Sequence, residues 1–268
     1  MAKRVEALPH GLMDILFIVL IVVLGIFSLR FSWWKPQRKG IPVLLYHNIT
    51  DELYSDSDRK KMNISILQFR KQLRFLQEQG YRSITFKSVV YQEGLPSKPV
   101  IITFDDGYKG CIDNAMQILN EFGFKGILFV PANLFNNKTK IKGLLFDVMN
   151  NDALVWWSRD GNEVGSHGLQ HKNFLNLKKE EKIKELKDSR KILEDIIQES
   201  VVSFSFPYGR FTEEDIDLAL EAGYRFVCII KRKIADYTLT NPVPRVYIRG
   251  DDTMLDFYFN ITRGASRV

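Results

Sequence analysis

The chain has 268 residues, 45% of them hydrophobic, with a formal net charge of +6. That length suits one sizeable domain plus a separate segment better than two small domains. The positive balance is mild and not interleaved with aromatic residues, so it argues against nucleic acid as a partner and is met by a solvated surface. The two cysteines, Cys111 and Cys228, have no C-x-x-C spacing and read as buried free thiols rather than a disulfide.

The N-terminus reads as a transmembrane signal anchor occupying residues 1–34. Ile15 to Leu29 carries no charged residue, and Gly11 to Trp34 carries only Asp14 and Arg30. A bilayer core needs about 20 mostly apolar residues, and Trp33 and Trp34 fall where an interfacial aromatic belt belongs. Lys3 and Arg4 resemble a signal-peptide n-region, but no small-x-small cleavage site follows the apolar run. Orientation is contested within the sequence. Lys3 and Arg4 precede the span while Arg30, Lys35, Arg38 and Lys39 follow it, which by the positive-inside rule puts the C-terminal domain in the cytoplasm.

Residues 35–40 form a short polar linker, and a single domain is expected over 41–268. Strands are expected at Ile41–Tyr46, Arg82–Thr85, Pro99–Phe104, Gly126–Val130, Glu163–Ser166, Val202–Phe206, Phe226–Ile230 and Arg245–Ile248. Ser65 caps a helix through Gln79, with Leu73 and Leu76 on its buried side and Gly80 as its stop. Further helices are expected at Cys111–Phe122, Lys179–Gln198 and Glu213–Ala222. Asn133 to Asp160, with Asn136, Trp156 and Trp157, reads as an elaborated loop. Strands alternating with helices of this length argue for parallel βαβ units that close into a barrel, with binding residues at the strand ends.

The chemistry concentrates at those ends. Val100-Ile-Ile-Thr-Phe-Asp105-Asp106-Gly107 is a buried strand that stops in two adjacent carboxylates, a costly arrangement unless something uses the charge. Ser166-His167-Gly-Leu-Gln-His171 offers two imidazoles four residues apart. Asp106, His167 and His171 together supply one oxygen and two nitrogens, a ligand set suited to Zn²⁺, Co²⁺, Ni²⁺ or Fe²⁺ with an open position for water. Asp105, pointing the other way along the strand, is free to act as a general base. An Asp-Asp-Gly alone is ordinarily a turn and a His-x₃-His alone a solvated helix face; both at strand ends make a site. The remaining histidine of this domain, His47, also ends a strand.

Thr103-Phe-Asp-Asp-Gly107, Ser166-His-Gly-Leu-Gln-His171 and Phe204-Ser-Phe-Pro-Tyr-Gly209 resemble the first three motifs of the polysaccharide deacetylases of carbohydrate esterase family 4. Pro42-Val-Leu-Leu-Tyr-His47 and Phe69 to Tyr81 resemble the branch that deacetylates poly-β-1,6-N-acetylglucosamine. The resemblance runs from about Ile41 to Asp256. It implies an α/β fold, a distorted (β/α) barrel preceded by the transmembrane helix, that hydrolyses N-acetyl groups of an N-acetylglucosamine-containing cell-surface polysaccharide with a divalent metal.

Carried over residue by residue, the resemblance makes Asp105 the base and Asp106, His167 and His171 the metal ligands. Pro207, Tyr208 and Gly209 line the groove, and the Tyr208 backbone N–H is an oxyanion donor. The family's late acid histidine has no counterpart here, and the poly-N-acetylglucosamine branch points to His47 in that role; the bland alternative is a structural histidine ending a strand. The element that tunes the base elsewhere in the family is also missing. Arg245 either orients Asp105 and contacts substrate or is a surface arginine. Gly168 replaces the family's Ser or Thr, which is expected to loosen the ligand loop. Two other readings stay open: a deacetylase or deformylase of a lipid-linked or small amino-sugar amide, and a non-catalytic glycan-binding relative. A membrane-anchored enzyme with an extracytoplasmic domain fits the first reading. Oligomeric state leaves no signature.

Overall fold

The computed structural model describes residues 10–31, 36–52, 56–91, 94–133, 138–141 and 144–264. The chain divides into two compact units, Met1–Gln37 and Arg38–Val268. In the first, one helix covers His10–Phe31, 22 residues. From Leu12 to Ile26 it is exposed on every side and, Asp14 apart, apolar on every side, so over this stretch it has no polar face to turn toward water. Its length of about 33 Å matches a hydrocarbon core of about 30 Å. Lys3, Arg4, Trp33 and Trp34 lie outside the described residues.

The second unit is built on seven parallel strands: β1 Val43–Tyr46, β2 Pro99–Phe104, β3 Ile127–Val130, β4 Glu163–Ser166, β5 Ser203–Ser205, β6 Phe226–Ile230 and β7 Val243–Tyr247. Each pairs with the next in chain order, and β7 pairs back onto β1, so the sheet closes into a barrel. A short strand, Arg82–Ser83, pairs with the start of β2 outside the ring. Strands covered on both faces can be apolar throughout, and β1, β2 and β3 are buried at every position. Their period of two sorts them. Leu44, Tyr46, Ile102, Phe104, Leu128 and Val130 pack outward against helix residues such as Phe69, Leu73, Leu119 and Leu186. Val43, Ile101, Ile127, Phe129, Cys228 and Val243 form a separate cluster that fills the barrel's lower half.

The helix Ile66–Glu78 starts at Ser65, whose hydroxyl accepts the Gln68 N–H, and buries Phe69, Leu73 and Leu76. Other expectations are corrected. The helix expected over Cys111–Phe122 opens as a π-helical turn, Cys111–Ala115, before Met116–Glu121 becomes α-helical. Asn133–Asp160, expected as an irregular, elaborated loop, carries regular structure, and Asn136 lies outside the described residues. The stretch holds an antiparallel hairpin, Lys138–Ile141 with Leu144–Asp147, and a helix, Asn151–Arg159. The Asn150 side chain caps that helix at Ala153 N–H, and Leu154 and Trp157, one turn apart, bury its inner face. The last strand begins two residues before Arg245, at Val243, which puts Arg245 within the barrel wall. A closing helix, Met254–Arg263, also escaped the sequence reading, although Thr253 and Asp256 form a capping box at its start. Cys111 and Cys228 are buried free thiols.

Candidate active site

Parallel closure sends the C-terminal ends of all seven strands to one pole, which gathers residues far apart in sequence. Past β2, Asp105 N–H still donates to the Tyr46 carbonyl at 3.0 Å, so Asp105 keeps a strand residue's direction into the barrel. Asp106 then leaves the ladder with φ of 73°, a left-handed conformation that is costly for a residue bearing Cβ. The two neighbouring carboxylates are thereby turned to separate tasks. Past β4, His167 N–H donates to the Val130 carbonyl at 2.9 Å, continuing that ladder in the same way.

Asp106, His167 and His171 are buried, and one ligand atom from each lies within 4.8 Å of the others. Asp106 Oδ1 is 2.9 Å from His171 Nε2 and 3.4 Å from His167 Nε2. The Ser205 carbonyl lies 2.7 Å from His167 Nδ1; it can only accept, so Nδ1 carries a proton and Nε2 is the nitrogen turned toward Asp106. One oxygen and two nitrogens at this spacing match the first shell of a divalent cation with part of its coordination open. Burial pushes the Asp106 carboxyl up, but the charge of His171 and hydrogen bonds from both histidines hold it well below the carboxylate range. Burial lowers His167, and the carboxylates of Asp105 and Asp106 more than restore it.

Asp105 sits beside this triad, with Oδ2 4.0 Å from His167 Nε2. Arg245, 1% exposed, rises inside the barrel and grips it. Its two terminal nitrogens donate to Asp105 Oδ1 at 2.6 Å and Oδ2 at 2.8 Å. The same nitrogens donate to Thr103 Oγ1 at 3.1 Å and Ser205 Oγ at 2.6 Å. Phe129 forms its apolar wall, with the ring centre 5.0 Å from the guanidinium carbon. Burial drives the Asp105 carboxyl upward, and Arg245, then His167 and His47, pull it below its ordinary value. Of the two readings of Arg245, the surface one is overturned.

His47 follows β1, its ring edge-on to Tyr247 with centres 5.3 Å apart. Its Nδ1 is buried without a hydrogen-bond partner among the described residues. Burial lowers its pKa, with the charges of Asp106 and Asp105 acting in the opposite direction. Tyr208 stands at the rim, 39% exposed, its ring centre 4.6 Å from that of His171. It adopts φ of 61° between Pro207, which is buried, and Gly209. Among the described residues, five non-glycine residues have positive φ, and three of them, Asp106, His171 and Tyr208, are at this pole. Strain gathered in one place is characteristic of a working site.

The ligand loop is not loosened by Gly168. It turns there with φ of +81°, and its next two amides are held by Glu185. Sequence reasoning missed Glu185, although it is a charged residue on the stripe Glu185, Leu186, Ser189, Leu193 and Ile197 that the helix Lys179–Ile197 buries. It also missed Thr103 and Ser205, which lie inside the motifs that were singled out, and Tyr247.

The family profile described as polysaccharide deacetylase matches residues 92–227, about half of the chain. The poly-beta-1,6-N-acetyl-D-glucosamine N-deacetylase of Staphylococcus aureus is 24% identical over 209 residues, covering 74% of this chain and 71% of its own length. Across the first curated relatives the matched stretch spans 66–71% of their length. Among solved structures, the Streptococcus pyogenes deacetylase PplD in complex with acetate superposes with a TM-score of 0.72 at 18% identity, over 85% of this chain and 99% of that one. IcaB from Ammonifex degensii superposes with a TM-score of 0.71 at 22% identity, over 83% and 97%. Both show a shared fold.

Proposed function

This chain belongs to the polysaccharide deacetylase family, and from that premise we propose that it is a metal-dependent N-deacetylase of a surface polymer rich in N-acetylglucosamine. The observation that carries the reading is the meeting, at one barrel pole, of the Asp106, His167 and His171 cluster with the Arg245-gripped carboxylate of Asp105. A glycan-binding relative would need neither the buried ligand set nor a carboxylate held ionised beside it.

Asp106, His167 and His171 would hold the metal. When bound, a divalent ion such as Zn²⁺ acidifies a water and polarises the acyl oxygen, which is the chemistry amide hydrolysis needs. Asp105 accepts the water's proton; Arg245 keeps that carboxylate ionised and fixes its direction. The Tyr208 backbone N–H donates to the oxyanion as the carbonyl carbon turns tetrahedral. His47 donates a proton to the departing amine, which otherwise leaves as a poor anion. Pro207, Tyr208 and Gly209 line the sugar-binding groove. The apolar helix His10–Phe31 serves as a membrane anchor, residues 35–40 as its tether and residues 41–268 as the catalytic domain, placed outside the cytoplasm where the polymer lies.

Acetate release by the full-length chain from N-acetylglucosamine oligomers, with metal restored after chelation, tests the reading. No acetate from any such oligomer overturns it. Reporter fusions at the C-terminus test the placement: a cytoplasmic result redirects the search to lipid-linked or small amino-sugar amides.

A further inference from the structure

Two of the three ligands come from one loop, and the geometry of that loop is set from behind. Between His167 and His171 the backbone N–H groups of Gly168, Leu169 and Gln170 are all hydrogen-bonded. Gly168 N–H donates to Ser166 Oγ at 3.2 Å. Leu169 and Gln170 both donate to the same atom, Glu185 Oε2, at 2.7 and 2.9 Å. The carbonyls are engaged too, Gly168 by Ala132 N–H at 3.0 Å and Leu169 by Asn133 N–H at 2.9 Å. Glu185 is 3% exposed and is carried by the long helix Lys179–Ile197, an element that supplies no proposed ligand.

We propose that Glu185 is a positioning residue for the metal site: its Oε2 holds the loop in the turn that converges His167 and His171. This rests on the metal reading above. A buried carboxylate accepting two amide N–H groups is a strong, directional clamp. What it clamps is a turn the chain would not choose, since the loop ends with His171 at φ of 54°. The clamp also accounts for glycine at position 168. A Cβ there would stand 3.1 Å from Glu185 Oε2, on a backbone with φ of +81° that side chains rarely adopt.

The test is Co²⁺ binding by the full-length chain, read from the ligand-field absorption, with thermal unfolding of each variant recorded in parallel. Glu185→Ala is expected to weaken Co²⁺ binding by about 10–100-fold, as loss of a group orienting a ligand does. Glu185→Gln should restore it to within a few-fold, because its amide oxygen can take the place of Oε2. Glu185→Asp keeps the charge but withdraws the acceptor by one methylene, and should bind as weakly as the alanine variant; it decides the matter where Glu185→Ala does not fold. Wild-type affinity in Glu185→Asp, or a glutamine variant no better than alanine, overturns the clamp. Absence of Co²⁺ uptake by the wild-type chain would instead count against the metal reading. Amide hydrogen exchange then decides for Glu185: faster exchange at Leu169 and Gln170 in Glu185→Asp supports the clamp, and unchanged exchange overturns it.

Discussion

Arg245 and Asp105, 140 residues apart in sequence, meet as a buried, two-point ion pair at 2.6 and 2.8 Å inside the barrel. The pair explains how a carboxylate only 3% exposed remains charged. Burial alone would neutralise it, and a neutral acid could not take a proton from water. The guanidinium supplies the opposing charge, and Thr103 and Ser205 occupy two of its remaining donor positions. Thr103 is fixed in turn, its hydroxyl donating to the Leu44 carbonyl at 2.9 Å.

Arg245→Lys keeps the charge but loses the planar fork, so it should hold Asp105 less firmly. Because Arg245 is the strongest influence drawing the Asp105 pKa down against burial, that pKa should rise in the variant. The acid limb of the kcat/KM profile then moves to higher pH, measurable by acetate release across a buffer series. Arg245→Leu leaves a buried, unpaired carboxylate and should lower stability by about 3–5 kcal/mol in urea unfolding at neutral pH. An unmoved acid limb in Arg245→Lys would separate Asp105 from the role of base.

His47 is proposed to protonate the departing amine, and the burden of that step depends on the leaving group. An amine needs the proton, whereas an activated aryl alcohol leaves readily as its anion. His47→Ala should therefore lower kcat on an N-acetylglucosamine oligomer by about 100-fold or more. On an aryl acetate ester the same change should cost little. Equal losses on the two substrates would assign His47 the structural role, packed against Tyr247.

The candidate site was legible where its residues are contiguous. Asp105 and Asp106 end a run of buried apolar residues, and His167 and His171 share one short loop, so residue type and strand-end position together announced them. The barrel was legible because strands buried on both faces leave uninterrupted apolar runs. What escaped acts across the fold. Nothing local in Pro244-Arg-Val distinguishes an arginine pointing into the barrel from one pointing to water, because that depends on which residue begins the strand. Glu185 escaped for the same reason: its partners lie 15 and 16 residues away, and its burial is a property of the helix face. The helix Asn151–Arg159 was hidden by Asn150 and Asn151 at its start and by its two tryptophans, weak helix formers until Trp157 is packed.

Tyr208 is proposed to act through two different groups, and one substitution separates them. On that proposal its backbone N–H would be the oxyanion donor, while its ring, 39% exposed beside His171, would belong to the groove. Tyr208→Gly retains the N–H and accepts φ of 61° without strain. It should raise KM for oligomers several-fold and leave kcat within about threefold, since uniform binding is lost and transition-state contact is not. A collapse of kcat with unchanged KM would place the side chain, not the backbone, in the reaction.

Glu163 lies in the barrel's lower half, away from the triad, and its effect should be on stability rather than on chemistry. It is 1% exposed; Oε1 accepts from Ser203 Oγ at 2.6 Å and Oε2 from Lys87 N–H at 2.8 Å. Burial pushes its pKa up to about 7 from 4.5, against those hydrogen bonds. The folded state therefore binds this proton more tightly than the unfolded chain does, so the associated stability is present below pH 4.5 and is lost as pH rises through 7. The difference amounts to about 3 kcal/mol across that window. Glu163→Gln keeps one acceptor for Lys87 N–H and can donate to Ser203, reproducing the protonated acid without its titration. Urea unfolding of the two proteins at pH 5 and pH 8 should show the variant close to wild type at the lower pH and more stable at the higher. Parallel curves at both values would mean that Glu163 stays ionised in the fold, with its charge met by Lys87 and the hydroxyls around it.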